Sequence, residues 1–307
     1  MLRYILKRLV MLIPVILVTS FLIFWAMSLT GGDPALMLAG DNAKPEQIEQ
    51  IREELGLNDP FIVRYGNYMK GMLIGDMGKS YVTKRDVFKT FMERLPNTLM
   101  LGGAAVLIAV VVSLPLGIYT AIHQNTWKDT AGMIFALFGT SMPNFWLGLM
   151  LIILFSLKLG LFPTGGKGGL DSLVLPAVTV GFGLAALITR TTRSSMLDVI
   201  HQDYIRTARA KGLSENKVVY KHVFRNTMVP IVTMTAGIIP SLFGGMMILE
   251  QVFALDGIGS YAYAALKSGD IPFVMGYNMF IAILTVIGTL LSDITYMLVD
   301  PRIKISK

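Results

Sequence analysis

The fold class is decided by one stretch of the sequence, residues 95–122, which reads LPNTLMLGGAAVLIAVVVSLPLGIYTAI and contains no charged side chain. A helix needs about 20 predominantly apolar residues to cross the hydrocarbon core of a bilayer. Lipid offers no partner to an unpaired backbone group, and the stretch shows no alternation of apolar and polar residues that would indicate a barrel strand. It therefore predicts a transmembrane helix.

Five further uncharged runs resemble this one, at 9–29, 130–157, 172–189, 226–249 and 271–292. The chain as a whole is 53% hydrophobic and only 15% charged, against about 25% charged residues in a typical soluble domain. The sequence therefore predicts an all-α integral membrane protein with six transmembrane helices. Prolines inside several runs, such as Pro143 and Pro176, predict kinks.

Several kinds of site are excluded by composition. The chain has no cysteine, so it has no disulfide, cysteine zinc site, iron–sulfur cluster or thiol nucleophile. Its three histidines, His123, His201 and His222, lie far apart without metal-ligand spacing. We expect no catalytic residue, cofactor-binding residue or metal ligand, and no enzyme activity in this chain.

The distribution of positive charge predicts the orientation in the membrane. With the N-terminus in the cytoplasm, the inside segments carry 15 lysines and arginines, and the two short outside loops carry three. The long segment between the first two runs is discounted, because long loops cross the membrane largely regardless of charge. Six spans place both termini in the cytoplasm, and the net charge of +7 then reflects topology rather than nucleic-acid binding.

Three segments follow along the sequence: a tail and first span (1–29), an extracytoplasmic helical segment (30–94) and a five-helix core (95–307). In the second segment, helices are expected at 45–55, capped by Gly56, and from Asn58 onward until the glycines around Asp76. Two short helices bury little core alone, so we expect them to pack on the membrane helices. They form either a docking surface for an external partner or a structural cap.

A glycine-rich loop at 165–169 is not a phosphate-binding loop. A Walker A sequence needs a glycine five residues before its Gly-Lys pair and a hydroxyl residue after it, but Leu161 and Gly168 occupy those positions. If transport is driven by ATP, the ATPase is therefore another polypeptide.

The cytoplasmic loop 190–225 carries eight positive and three negative charges. Within it, 203–211 predicts a short helix with Asp203 early and cations late, which complements the helix dipole, and Gly212 predicts a left-handed C-terminal cap. Ser214 is expected to cap a following helix through Arg225. The apolar side chains of the short helix predict docking in a groove of a cytoplasmic partner; the alternative is a loop that binds lipid headgroups.

These residues resemble the cytoplasmic loop of the permeases of ABC importers, in particular the dipeptide/oligopeptide/nickel group. Further matches occur in the right order along nearly the whole chain. They are Arg8, Pro14, Gly32-Asp33-Pro34, Leu55-Gly56-Leu57, Gly75-Asp76-Met77-Gly78, Leu95-Pro96-Asn97-Thr98, His222-Val223-Phe224-Arg225-Asn226, Pro230, Leu249-Glu250-Gln251-Val252-Phe253, Gly257-Ile258-Gly259, Tyr296 and Asp300-Pro301-Arg302.

Three positions depart from the broader pattern. Arg206-Thr207-Ala208 stands in place of Glu-Ala-Ala, so no glutamate contact to the ATPase is carried over. Arg225 and Asp256 each stand where proline is common in the broader family or the subgroup. The shape of the last outside loop is therefore an open question.

The resemblance implies a type I ABC-importer permease fold in the inner or plasma membrane of a prokaryote. It implies a second homologous permease, two cytoplasmic ABC ATPases that bind ATP and magnesium, an extracytoplasmic substrate-binding protein and surrounding lipid, with no nucleic acid. The coupling helix that meets the ATPase would comprise Asp203, Tyr204, Ile205, Arg206, Thr207, Ala208, Arg209, Ala210, Lys211 and Gly212.

Two more groups of candidate residues come from the later part of the chain. Glu250, Phe253, Gly257 and Gly259 are candidates for an extracytoplasmic partner contact or gate, with a water-facing cap as the alternative for Glu250. Asp293, Asp300 and Arg302 are expected to be structural.

The expected substrate is a di- or oligopeptide, with nickel chelates, glutathione and opines as alternatives within the same family. A self-sufficient secondary transporter is the rival from another class. It is disfavoured because the sequence shows neither internal repeats nor midplane charges, and because the large basic loop needs a partner.

Overall fold

The structure, a computed structural model, describes residues 2–29, 33–40, 43–166 and 169–299. These residues form helices and connecting loops without a β-strand, apart from one isolated bridge between Lys79 and Asp86. The α-helices are α1 Leu2–Leu29, α2 Pro34–Ala39, α3 Pro45–Glu54, α4 Phe61–Leu73, α5 Val87–Ile122, α6 Trp127–Ser141, α7 Asn144–Leu151, α8 Asp171–Ile200, α9 Asp203–Ala210, α10 Glu215–Lys217, α11 Arg225–Val252, α12 Ile258–Lys267 and α13 Ile271–Val299. Two π-helical segments, Ile152–Lys158 and Val218–Phe224, follow α7 and α10.

All six uncharged runs lie on helices, as predicted. Among the described residues, α5, α8 and Ile271–Thr295 of α13 are long and apolar enough to cross a membrane, and α6 with α7 and its π-helical extension forms a bent fourth candidate. Ile13–Leu29 of α1 is a shorter apolar helix. The count of six spans stays a prediction.

The third run is a broken helix rather than a continuous one. The axis turns by 105° between α6 and α7. Pro143 has no backbone N–H to donate and disfavours helical geometry in the residue before it, and Met142 accordingly adopts an extended conformation with φ −78° and ψ 130°. The kink expected from Pro143 is therefore a complete break.

The segment 30–94, where the structure describes it, folds into the expected short helices. α3 ends at Glu54, and Gly56 adopts a left-handed φ of +64°. α4 packs against α1 through edge-to-face aromatic contacts between Phe24 and both Phe61 and Tyr65. The Tyr65 hydroxyl also donates a hydrogen bond to the Leu17 carbonyl at 3.1 Å. This segment therefore packs on α1, the helix that carries the first uncharged run, and its packing on a membrane helix stays a prediction.

The chain divides into two compact units, the first comprising 1–98, 246–251 and 256–286, and the second 99–245, 252–255 and 287–307. The core of the first unit is aromatic: Phe91 stacks on Phe273 and Phe280 at ring-centroid distances of 4.5 and 5.5 Å. In the second unit, α6 packs closely on α8, where a side chain at Gly139 would lie 2.6 Å from the Cβ atom of Ala186. Small residues thus allow the two helix backbones to approach each other.

Candidate functional site: the coupling helix and the buried Glu250 cluster

The predicted coupling helix is formed by α9, Asp203–Ala210, one residue shorter than expected. Gly212 follows it with φ +74°, which confirms the predicted left-handed cap, and its N–H donates to the Arg209 carbonyl at 2.9 Å. A side chain at Gly212 would meet no atom within 4 Å. Glycine is therefore favoured here by backbone conformation alone.

One side of α9 is buried within the protein's own second unit. Ile205 is fully buried and Ala208 is 7% exposed. They belong to a hydrophobic cluster with Ile118, Ala121, Met196, Val218, Val219 and Val223. The prediction that the apolar side chains of this helix insert into a groove of a partner is therefore wrong for Ile205 and Ala208, because α5, α8 and the second π-helical segment already cover them.

The other side of α9 is exposed. It presents Asp203, Tyr204, Arg206, Thr207, Arg209 and Ala210, followed by Lys211. Tyr204 is 45% exposed, and its hydroxyl accepts a hydrogen bond from the Asn226 amide at 3.1 Å. The surface left for a partner is thus polar and mostly cationic, with one aromatic side chain.

The turn after α9 is tied back by an ion pair. The Arg209 guanidinium donates to both carboxylate oxygens of Glu215, at 3.2 and 2.7 Å. This hydrogen bonding holds the pKa of the Glu215 carboxyl below its usual range. Both side chains are substantially exposed, so the pair contributes only about 0–1 kcal/mol to stability. Its geometry nevertheless connects α9 to α10.

The helix predicted from Ser214 to Arg225 is only partly regular. Ser214 stands at the N-cap with extended backbone angles, but its side chain makes no capping hydrogen bond. α10 then passes through the π-helical segment Val218–Phe224 directly into α11. The wider π-helical turn places Val218, Val219 and Val223 against the buried side of α9. Periodicity alone did not reveal this change of helix type.

Glu250 lies in a second cluster, in the first compact unit, and is 1% exposed. The Thr98 hydroxyl donates to its Oε1 at 2.5 Å, and the Ser260 N–H donates to its Oε2 at 2.9 Å. The same Thr98 oxygen accepts the Ile258 N–H at 3.0 Å. Glu250 and Thr98 together satisfy backbone donors in the first turn of α12, where the helix dipole also favours an anion.

The neighbouring candidates are buried as well. Gly257 and Gly259 both border Glu250: a side chain at Gly257 would overlap its carboxylate, and one at Gly259 would lie 3.0 Å from Oε2. Phe253 is fully buried in the second unit, and its carbonyl accepts the Gly166 N–H at 3.0 Å. The prediction of a water-facing cap at Glu250 is therefore wrong, and these four residues form internal packing within the chain.

Asp256, which replaces the proline common in the subgroup, has an ionic partner that sequence analysis missed. The Arg94 Nε donates to its Oδ1 at 3.0 Å, and the Asn97 amide donates to its carbonyl at 2.8 Å. The Arg94 guanidinium also lies over the Tyr261 ring, 4.3 Å from its centroid. These contacts hold the loop before α12 in one conformation, although the proline ring that is common at position 256 in the subgroup is absent.

A second ion pair was also missed. Arg193 on α8 donates to both carboxylate oxygens of Asp129 at the start of α6, at 2.6 and 2.7 Å. The Asp129 side chain is 7% exposed, and the Asn125 N–H donates to it at 3.1 Å. A bidentate arginine–carboxylate pair fixes both distance and orientation. It therefore joins α6 to the helix that leads into α9.

The residues expected to be structural are only partly described. Asp293 lies half-buried on α13. Asp300 and Arg302 lie outside the described residues. Within the described ranges, no group of three or more histidine, aspartate or glutamate side chains is placed to hold a metal ion.

The chain is similar to known transport proteins over nearly its whole length. The family model described as "Binding-protein-dependent transport system inner membrane component" matches residues 113–305, and the model of the corresponding N-terminal part matches residues 1–102. The chain is 41% identical, over 98% of each chain, to a Brucella abortus protein named provisionally as a peptide transport system permease protein. It is 39% identical to the oligopeptide transport system permease protein AppB of Bacillus subtilis, over 99% of this chain and all of that protein.

Two further likenesses extend the comparison. The glutathione transport system permease protein GsiC of Salmonella choleraesuis is 38% identical over 99% of each chain. An inward-facing structure of the MetNI methionine ABC transporter superposes with a TM-score of 0.58 at 19% identity, covering 69% of this chain and 96% of that chain. At that identity the likeness establishes the fold.

Proposed function

The chain belongs to the ABC-importer permeases of the dipeptide and oligopeptide group, the inner-membrane components of binding-protein-dependent transport, and from this premise we propose that it forms half of a translocation pathway for short peptides. The proposed substrate class rests on one observation. The chain is similar, over nearly its whole length, to permeases named for peptides, oligopeptides and glutathione. These three cargoes share amide-linked residues and a free carboxylate.

The proposed assembly contains this chain, a second homologous permease, two cytoplasmic ABC ATPases and an extracytoplasmic binding protein. ATP and magnesium are held by the ATPases, and this chain carries no ATPase site of its own. We further propose six transmembrane helices with both termini in the cytoplasm, on the charge asymmetry of 15 to three. In this proposal the tail and first span occupy 1–29, the extracytoplasmic segment 30–94 and the five-helix core 95–307. The coupling loop 190–225 of the core lies in the cytoplasm.

Energy enters, in this proposal, through the exposed side of α9. Movement of the ATPase against Tyr204, Arg206 and their exposed neighbours would displace α9. The displacement would be transmitted to α8 and α5, because Ile205 and Ala208 on the buried side pack in one cluster with Met196 and Ile118. The Asp129–Arg193 pair then carries movement of α8 to α6. A short helix with one side anchored and one side free is suited to act as such a lever.

The function is tested by uptake into proteoliposomes that contain the complete transporter, its binding protein and ATP. Tritiated trialanine should accumulate, and nickel chelates and opines should not. A matched vesicle preparation without ATP should take up nothing. Uptake of a nickel chelate or an opine instead of the peptide would overturn the proposed substrate class. ATP-independent uptake by the purified chain would favour a secondary transporter.

A further inference from the structure

The first compact unit contains a cavity of about 590 Å³ on the extracytoplasmic segment. It is bounded by α1, α2, α4, the loop before α5 and the start of α13. Its apolar lining includes Phe24, Leu57 and Met275. The polar residues that line it are Arg64, Asn67, Tyr68, Asp76, Lys79, Ser80, Tyr81 and Lys84. A volume in this range is typical of a site for a small organic molecule.

Arg64 is one of the cationic side chains that line this cavity. Its side chain is half-buried, and its guanidinium carbon lies 5.9 Å from the centroid of the Phe24 ring. No acidic side chain forms an ion pair with Arg64 in the part of the chain that the structure describes, whereas Arg52 and Arg85 of the same segment pair with Asp33 and Glu93. A cation partly withdrawn from water without a counter-charge favours an anionic ligand.

Two phenols and one carboxylate also line the cavity. Tyr68 and Tyr81 are both half-buried, and burial raises the pKa of each phenol further above its ordinary value, so both O–H groups are protonated at neutral pH and can donate. Asp76 is exposed, and one of its oxygens accepts the Gly78 N–H at 2.9 Å. No cation pairs with Asp76 among the described residues. The cavity therefore offers a positive group and a negative group, together with an apolar wall.

We propose that this cavity binds a short zwitterionic peptide, with Arg64 holding its carboxylate, Asp76 its ammonium group and the apolar wall one of its side chains. The exposed Lys79 and Lys84 also line the cavity and add positive charge to it. This inference rests on the proposed function, because it takes the cargo to be a peptide. It adds a ligand site on the permease itself, outside the binding protein and the path between the two permeases.

The test is equilibrium binding of tritiated Ala-Phe to the complete transporter in phosphatidylcholine nanodiscs, without binding protein or nucleotide. Arg64→Gln should weaken binding about tenfold or more, as expected for loss of a charge-assisted hydrogen bond, and Arg64→Lys should recover part of that loss. Ala-Phe amide should compete about tenfold less well than Ala-Phe for the same reason. Asp76→Asn should weaken binding of Ala-Phe and leave binding of N-acetyl-Ala-Phe unchanged.

Lys70→Gln is the matched control, because Lys70 is an exposed cation on the same helix that does not line the cavity. It should bind Ala-Phe as the unaltered protein does. Thermal unfolding of each variant separates loss of the site from loss of the fold. The inference is overturned if Arg64→Gln unfolds normally and binds Ala-Phe with unchanged affinity, or if the acid and the amide compete equally. Displacement of Ala-Phe by phosphatidylglycerol as readily as by unlabelled Ala-Phe would identify a lipid headgroup site and also overturn it.

Failure of this inference is distinguishable from failure of the proposed function. Normal ATP-driven trialanine uptake by Arg64→Gln, together with no Ala-Phe binding by the unaltered transporter, would remove the cavity site and leave the function intact. Absence of peptide uptake with any binding protein would remove the function itself.

Discussion

Gly212 and Glu250 show what single residues contribute to this permease. Glycine is favoured at position 212 by the backbone conformation alone. Its φ is a left-handed +74°, and a side chain there would meet no atom within 4 Å. The role of Glu250 depends instead on residues distant in sequence, because both of its carboxylate oxygens accept hydrogen bonds in a buried site. The first role was readable from the sequence, and the second was not.

At Gly212, we expect Gly212→Val to reduce coupling without preventing assembly. A side chain in left-handed backbone space costs about 1–2 kcal/mol, enough to change the population of a conformation about five- to thirtyfold. Substrate-stimulated ATP hydrolysis by the complete transporter should fall accordingly. Gly212→Asn is the control, because asparagine tolerates this conformation, and it should retain most of the stimulation. Equal activity of the two variants would contradict a role for the cap.

At Glu250, we expect Glu250→Gln to destabilise the protein by about 1–3 kcal/mol, because the amide group cannot accept the hydrogen bonds that the second carboxylate oxygen accepts. Thr98→Val should have an effect of the same sign. The two should be non-additive in the double variant, since they share one network. Thermal unfolding of the purified chain measures all three.

The rival role for Glu250 is contact with the binding protein, as the sequence analysis had proposed. A Glu250→Gln variant with unchanged unfolding and lost stimulation by the binding protein would support that role. It would contradict the internal one.

At the scale of elements, α9 has one side buried within the protein and one side exposed. Ala208 and Ala210 both belong to α9 but differ sharply in environment: Ala208 lies within the hydrophobic cluster, and Ala210 is exposed. The break at Pro143 and the π-helical segment before α11 likewise show helices that are interrupted where packing requires it. Short or irregular helices are thus attached to long regular ones in this chain.

We expect Ala208→Trp to destabilise the purified chain even without its ATPase partners, because a closely packed core leaves no room for an indole. Ala210→Trp should leave the stability of the chain unchanged and should weaken copurification of the ATPases instead. Yield and unfolding temperature of the isolated chain, followed by pull-down of the ATPases, separate the two effects. The assigned orientation of α9 is wrong if Ala208→Trp is stable alone and fails only in ATPase binding.

At the scale of the whole molecule, charge asymmetry and helix composition agree on a membrane protein. The described helices include three that are long and apolar enough to span a bilayer, with the bent pair as a fourth candidate. The family membership adds an inner-membrane location. The number of spans is predicted from the uncharged runs, and the side of each loop from the positive charges.

The topology is tested with single cysteines, since the chain has none of its own. Lys211→Cys should be protected from an impermeant thiol reagent in intact cells and should react after permeabilisation. Glu54→Cys, an exposed position on α3, should react in both conditions. The reverse pattern would overturn the orientation, because it would place the coupling helix outside the cell.

The sequence by itself determined what depends on local chemistry. Uncharged runs of more than about 20 residues predict helices in lipid wherever they occur, and a glycine such as Gly212 predicts a left-handed cap from its own conformational freedom. The order of the motifs along the chain indicated the family for a similar reason, because each motif consists of neighbouring residues in the sequence.

Only the tertiary structure decided which side chains meet. Thr98 and Glu250 are 152 residues apart, Arg94 and Asp256 are 162 apart, and Asp129 and Arg193 are 64 apart. No periodicity within a helix specifies a partner on another helix, because the amphipathic pattern indicates that a side is buried and not what buries it. For that reason the sequence located α9 and its cap but assigned its apolar side chains to a partner, whereas packing places Ile205 and Ala208 against the protein itself.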